Sequence, residues 1–192
     1  LPRDRKYVLV IDEHGSRVRQ YGAVEEDEEK RALIDERQAQ PNLTRSSHGR
    51  GEVYRTTVFA KLLTLALLKF STLDPMGMGV EMEANKPGWC DALNGLPALF
   101  GSSLAETYEL QRLLAFLSTV MTESPDTLIE LPVEVTTLLH AVEACLVDYD
   151  IAAESERDFR YWDAVATARE VYRARTRLGF AGRNVATDLA TL

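Results

Sequence analysis

The chain has 192 residues, 45% of them hydrophobic and 8% aromatic, enough apolar material for one domain with its own core. Its net charge of -8 and pI near 5.0 exclude the basic field that a nucleic-acid partner requires. No apolar run reaches the roughly 18 residues of a membrane span, because Lys61 and Lys69 interrupt the best candidate.

Two cysteines, Cys90 and Cys145, make neither a disulfide framework nor a metal motif, and no secretory leader opens the chain. The expectation is a cytoplasmic, reducing setting with no metal, no membrane and no nucleic acid. The chain opens on Leu-Pro-Arg and stops at Ala-Thr-Leu just after a new segment begins, so it reads as a portion of a larger polypeptide.

Tyr7 to Ile11 and Arg17 to Val24 are β-rich runs with Glu13, His14 and Gly15 between them, the pattern of a hairpin. Glu25 to Gln38 has helical composition around Ala32, Leu33 and Ile34. Its acidic run Glu25, Glu26, Asp27, Glu28 and Glu29 reads as a solvated helix start. Pro41 to Gly51 is dense in turn formers and reads as a loop, with His48 solvated or, alternatively, touching an anion. Residues 1–51 thus make an N-terminal hairpin, acidic helix and loop, ahead of a helical unit over 52–192.

From Tyr54 to Leu73 apolar residues cover more than one face, predicting a helix buried on most sides and ended by Leu73-Asp74-Pro75. Ser103 and Glu106 have the spacing of a capping box, and a helix follows with Leu110, Leu113, Leu117 and Val120 at helical spacing. It should stop between Thr122 and Pro125. Pro132 suits the first turn of the next helix, to about Tyr149. A last helix, Glu154 to Leu178, carries an aromatic cluster, Phe159, Tyr161 and Trp162, that reads as core. Arg169, Arg173, Arg175 and Arg177 read as cations favoured by the helix dipole, and Gly179 as the C-cap.

Between these helical patterns lies 77–103, too long for an idle connection and too rich in Trp89, Leu93, Leu96, Leu99 and Phe100 to stay solvated. It presents Glu81, Glu83, Asn85, Asp91 and Asn94 in an aromatic setting. A carboxyl beside an indole, shielded from water, has its charged form disfavoured and its pKa raised, which is what a general acid needs. Cleavage of a glycosidic bond requires such an acid, and the apolar face of a sugar ring suits an indole. The plain alternative is a loop aspartate bonding its own backbone.

Gly88-Trp89-Cys90-Asp91-Ala92-Leu93-Asn94-Gly95 resembles the Trp-Asn-Asp-Gly-Met-Asn stretch of cellobiose phosphorylase and its relatives, and the run from Glu81 to Ser103 is similar to a cellobiose-phosphorylase-like bacterial group. The specific motif spans about 25 residues, with Cys90 where the family has Asn and Ala92 where it has Gly. The resemblance implies an (α/α)6 toroid of six helical hairpins, of which this chain supplies part. It implies Asp91 as general acid, Trp89 as a sugar-site aromatic and Asn94 as a supporting polar group. It also implies an oligosaccharide or glycoside substrate, with inorganic phosphate as a possible co-substrate and no other cofactor.

Glu81 and Glu83 are further candidates for sugar binding, or an alternating surface pair on a strand. Lys86 is a candidate to neutralise phosphate, or a surface residue. Ser102 and Ser103 stand where backbone N–H groups of a helix start could receive phosphate, against the plainer reading of an N-cap alone. The expectation is therefore a mainly α chain of antiparallel helical hairpins with a small N-terminal β hairpin. Its function is cleavage of a glycosidic bond with inversion by phosphate or water. The alternative is a non-catalytic helical scaffold or glycan- or protein-binding module.

Overall fold

The computed structural model describes residues 2–4, 7–9, 17–19, 24–74, 78–81, 102–152 and 157–191. Among them are five helices: α1 (Glu28–Asp35), α2 (Val58–Phe70), α3 (Leu104–Glu123), α4 (Val133–Ile151) and α5 (Arg157–Thr176). Short strands pair antiparallel, two by two: β1 (Pro2–Asp4) with β4 (Val24–Glu26), β2 (Tyr7–Leu9) with β3 (Arg17–Arg19), β5 (Val80–Glu81) with β6 (Ser102–Ser103), and β7 (Leu128–Pro132) with β8 (Asn184–Asp188). The chain is thus mainly α with small strand pairs. Within the hairpin expected over 7–24, β2 and β3 pair antiparallel, and β1 and β4 form a separate pair.

Side chains that accept from orphan backbone N–H groups begin three of the helices. Asp27 Oδ1 accepts from Lys30 N at 3.1 Å for α1, Thr57 Oγ1 from Ala60 N at 3.1 Å for α2, and Ser103 Oγ from Glu106 N at 3.2 Å for α3. Only half of the expected capping box forms at α3. The Glu106 carboxylate does not turn back to the cap but reaches Lys69 Nζ at 2.5 Å, joining α3 to the end of α2.

One core joins these elements: Ala60, Leu63, Ala66 and Leu67 of α2, Leu110 and Leu117 of α3, Val135, Leu138 and Val142 of α4, and Val165 and Tyr172 of α5. Ile129 and Leu131 of β7 enter the same core, because alternation along the strand turns them inward while Leu128 and Glu130 face out. The burial expected of α2 holds except along one stripe. Val58, Lys61, Leu65 and Lys69, at helical spacing, form an exposed stripe. Among the described residues no helix is long and apolar enough to cross a membrane.

Three expectations are corrected by distant contacts. The acidic run is not one solvated helix start: Glu25 and Glu26 belong to β4, and Asp27 is 6% exposed, bound by Arg177. The arginines divide: Arg173 and Arg175 stand in the last turn of α5 as the dipole favours, but Arg169 is buried and Arg177 lies beyond the helix on the Asp27 carboxylate. The aromatic cluster divides. Phe159 is exposed, Tyr161 meets the Tyr149 ring edge-on at 5.4 Å, and Trp162 turns to Glu81.

Gly179 follows the end of α5, and its position is set by close approach. A Cβ there would lie 2.4 Å from Arg45 O, and one on Gly49 would lie 2.3 Å from Leu178 O. Two loops, 44–53 and 178–183, press together at this point. Ser47 N and His48 N donate to Ala181 O and Phe180 O, which holds both residues in the left-handed region at φ 48° and 51°. The His48 side chain itself is exposed, as expected.

Candidate functional site

The segment singled out by sequence, 77–103, is entered and left through a narrow neck. β5 and β6 pair with Val80 opposite Ser103 and Glu81 opposite Ser102, so the chain on either side of residues 82–101 is fastened together. A bridge from Leu73 to Val80 and the bonds Asp74 N to Gly79 O and Glu81 N to Thr72 O, both 2.8 Å, tie this neck to the end of α2.

Polar side chains complete it. Val80 N donates to Thr107 Oγ1 at 2.9 Å, and that hydroxyl donates to Ser103 O at 2.6 Å. Asp74 serves both sides: one carboxylate oxygen accepts from Met78 N at 3.2 Å, the other from Ser102 Oγ at 2.7 Å. The aspartate of the Leu-Asp-Pro helix stop thus also clasps the segment's return.

Glu81 is the buried carboxylate of the neck. It is 5% exposed, and its carboxylate accepts from the Trp162 indole Nε1–H at 3.3 Å. Burying a carboxylate costs several kcal/mol unless donors meet it, so an indole donor from α5 is part of what fixes its position. Trp162 in turn lies against the Phe159 ring, centroids 5.5 Å apart. Two helices far apart in sequence therefore place one acidic side chain at the base of the segment.

Of the candidate residues, Glu81, Ser102 and Ser103 are brought together here. Their roles differ. The Ser103 hydroxyl caps α3 and the Ser102 hydroxyl is given to Asp74, while Glu81 is the inward-facing carboxylate. Asp91, Trp89, Asn94, Glu83 and Lys86 lie outside the described residues. The sequence reading missed Trp162 and Asp74 as partners. Asp74 carried a local signal in its helix-ending motif, whereas the indole carried none, because its partner is 81 residues away.

Chemically, this arrangement supplies an acceptor of hydrogen bonds held beside aromatic surface, next to a segment rich in polar and aromatic residues. A scan against models of known protein families finds none that matches, and a search of curated proteins finds no match for the chain.

Proposed function

We propose that this chain is the helical portion of a carbohydrate-active enzyme that cleaves a glycosidic bond with inversion, in an (α/α)6 toroid completed by the rest of a larger polypeptide. Asp91 is the general acid in this reading. Its proton passes to the glycosidic oxygen as the bond from that oxygen to the anomeric carbon breaks. A phosphate oxygen forms the new bond from the opposite face, and the proton that phosphate gives up restores the acid. Trp89 and Asn94 hold the sugar, with Glu83 and Lys86 as further contacts and Lys86 facing the phosphate. Where water attacks instead, a second carboxylate roughly 6.5–9.5 Å from the first is required as base.

The observation that carries the reading is the buried Glu81 carboxylate, held by Trp162 at the neck of the segment that contains Trp89-Cys90-Asp91-Ala92-Leu93-Asn94. A carboxylate taken out of water and steadied by an indole is an unfavourable thing to build for structure alone, and a natural acceptor for a sugar hydroxyl. Exposed apolar side chains on α3 fit the same picture. Leu104 and Tyr108 are each 64% exposed and Phe116 53%, a surface that further helices of a toroid would cover.

The test is product analysis with the intact polypeptide and a panel of β-linked glucosides, with and without inorganic phosphate. Phosphate-dependent release of the α-configured sugar 1-phosphate supports phosphorolysis with inversion. Release of free sugar of inverted configuration without phosphate supports hydrolysis. No product from any glycoside, together with retained glycan or protein binding, would instead establish the non-catalytic scaffold.

A further inference from the structure

We infer that the cleft between the end of α1 and the 44–53 loop is a binding site for a phosphate-type oxyanion, carried free or on a small phosphomonoester. Arg37, Arg45 and Arg50 line this cleft of about 390 Å³ together with the exposed Glu36. The volume lies at the low end of the roughly 300–1,000 Å³ of small-molecule sites, which fits an anion bearing a group of hexose size.

Arg37 and Arg45 stand side by side, each spanning the same two stretches of backbone. Arg37 Nη1 donates to Pro41 O at 2.7 Å and Leu43 O at 3.3 Å, and its Nη2 to Gly49 O at 2.9 Å. Arg45 Nη2 donates to Ala39 O at 3.0 Å and its Nη1 to Gly51 O at 3.2 Å. Every one of these acceptors is a neutral carbonyl. No carboxylate among the described residues forms an ion pair with Arg37, Arg45 or Arg50.

A guanidinium carries five N–H donors, so these bonds leave about half of the pair's donors over. The Nε of both residues is buried with no hydrogen-bond partner among the described residues. Burial, and then the neighbouring charge of Arg45, hold Arg37 below the ordinary guanidinium value.

In a chain of net charge -8, three arginines gathered at one cleft with no acid paired to them are not explained by charge balance. The fork of a guanidinium matches phosphate oxygens two at a time, and an oxyanion would satisfy both the charge and the spare donors. The cleft sits by the C-terminal end of α5, where Gly49 meets Leu178, whereas the Glu81 neck sits at Trp162. Trp162 and Thr176 are about 21 Å apart along that helix at 1.5 Å per residue. This cleft is therefore distinct from the Glu81 neck and does not rest on the glycosidic reaction.

The experiment is calorimetric titration of the full chain with inorganic phosphate, with a hexose phosphate and with the uncharged hexose, at ionic strength fixed by chloride. Saturable binding of phosphate is expected, about tenfold weaker in Arg50→Gln and in Arg45→Gln, the loss of roughly one charge-assisted hydrogen bond. Equal affinities for phosphate and hexose phosphate assign the free oxyanion. Tighter binding of the hexose phosphate assigns the phosphomonoester. Arg50 is exposed and stays clear of the loop-spanning bonds, so Arg50→Gln decides should Arg45→Gln fail to fold. Heats no different from chloride, or binding to Arg50→Gln as tight as to the unaltered chain, would overturn the inference.

Discussion

Arg177 grips Asp27 across 150 residues of sequence, its Nη1 lying 2.7 Å from one carboxylate oxygen and 2.8 Å from the other. The same guanidinium bonds Glu29 through Nη2. Asp27 also caps α1, so one buried carboxylate begins that helix and fastens it to the segment after α5. The pair of Asp27 and Glu29 holds Arg177 firmly protonated, their hydrogen bonds raising its pKa above the ordinary guanidinium value.

Asp27→Ala removes the cap and leaves a half-buried guanidinium with Glu29 as its remaining partner. The expected loss is about 2–4 kcal/mol of unfolding free energy. Asp27→Asn, which keeps a cap but not the ion pair, should lose less. Urea denaturation of both variants checks the order, and equal losses would assign the whole effect to the ion pair.

Trp162→Phe keeps an aromatic ring on α5 but takes the donor away from Glu81. A buried carboxylate deprived of one hydrogen bond is expected to cost about 1–3 kcal/mol. Glu81→Gln keeps an acceptor for the indole and should change stability by less than about 1 kcal/mol, while lowering turnover of the intact polypeptide if Glu81 receives a sugar hydroxyl. A Glu81→Gln protein with unaltered turnover would confine that residue to structure.

Burial pushes the Tyr172 phenol up to about 12, with the Glu134 charge adding to the effect, and burial also raises Tyr161 and Tyr54. The folded form thus keeps these protons longer than the unfolded chain, whose tyrosines titrate near 10. Stability from Tyr172 is fully present below about pH 10 and is lost as pH rises toward about 12, up to roughly 2–3 kcal/mol at 1.36 kcal/mol per unit. Tyrosinate absorbance followed alongside far-ultraviolet circular dichroism should show ionisation and unfolding together. Tyr172→Phe should flatten the alkaline decline.

Gly179 has φ 139° and no room for a side chain beside Arg45 O and Gly49 N. Gly179→Ala is expected to lose about 2–4 kcal/mol, from backbone strain and the displaced loop together. A thermal melt of the variant checks it, and an unchanged midpoint would mean that the two loops separate without cost.

The long helices were legible in the chain because their apolar residues recur at helical spacing and Ser103 marks the start of α3, whereas the Thr57 cap, three residues inside the expected start of α2, was not read. The pairing of β7 with β8 was not, since Leu128–Pro132 finds its partner in Asn184–Asp188, a segment with no apolar alternation of its own. Asp27 looked like one more solvated acid because only Arg177, far along the chain, makes it a buried one. At the candidate site, sequence could nominate Glu81 as chemistry-bearing but could not foresee the indole that fixes it. A contact between residues 81 positions apart leaves no periodic trace.

The central claim is that Asp91 donates the proton to the leaving sugar. The most direct measurement is turnover of β-linked glucosides by the intact polypeptide and by its Asp91→Asn variant, with binding of the same sugars measured in parallel. The account predicts a rate lowered by about 10²–10⁴-fold with sugar affinity nearly unchanged, the signature of a lost general acid. An Asp91→Asn protein that turns over its substrate at the original rate would contradict it.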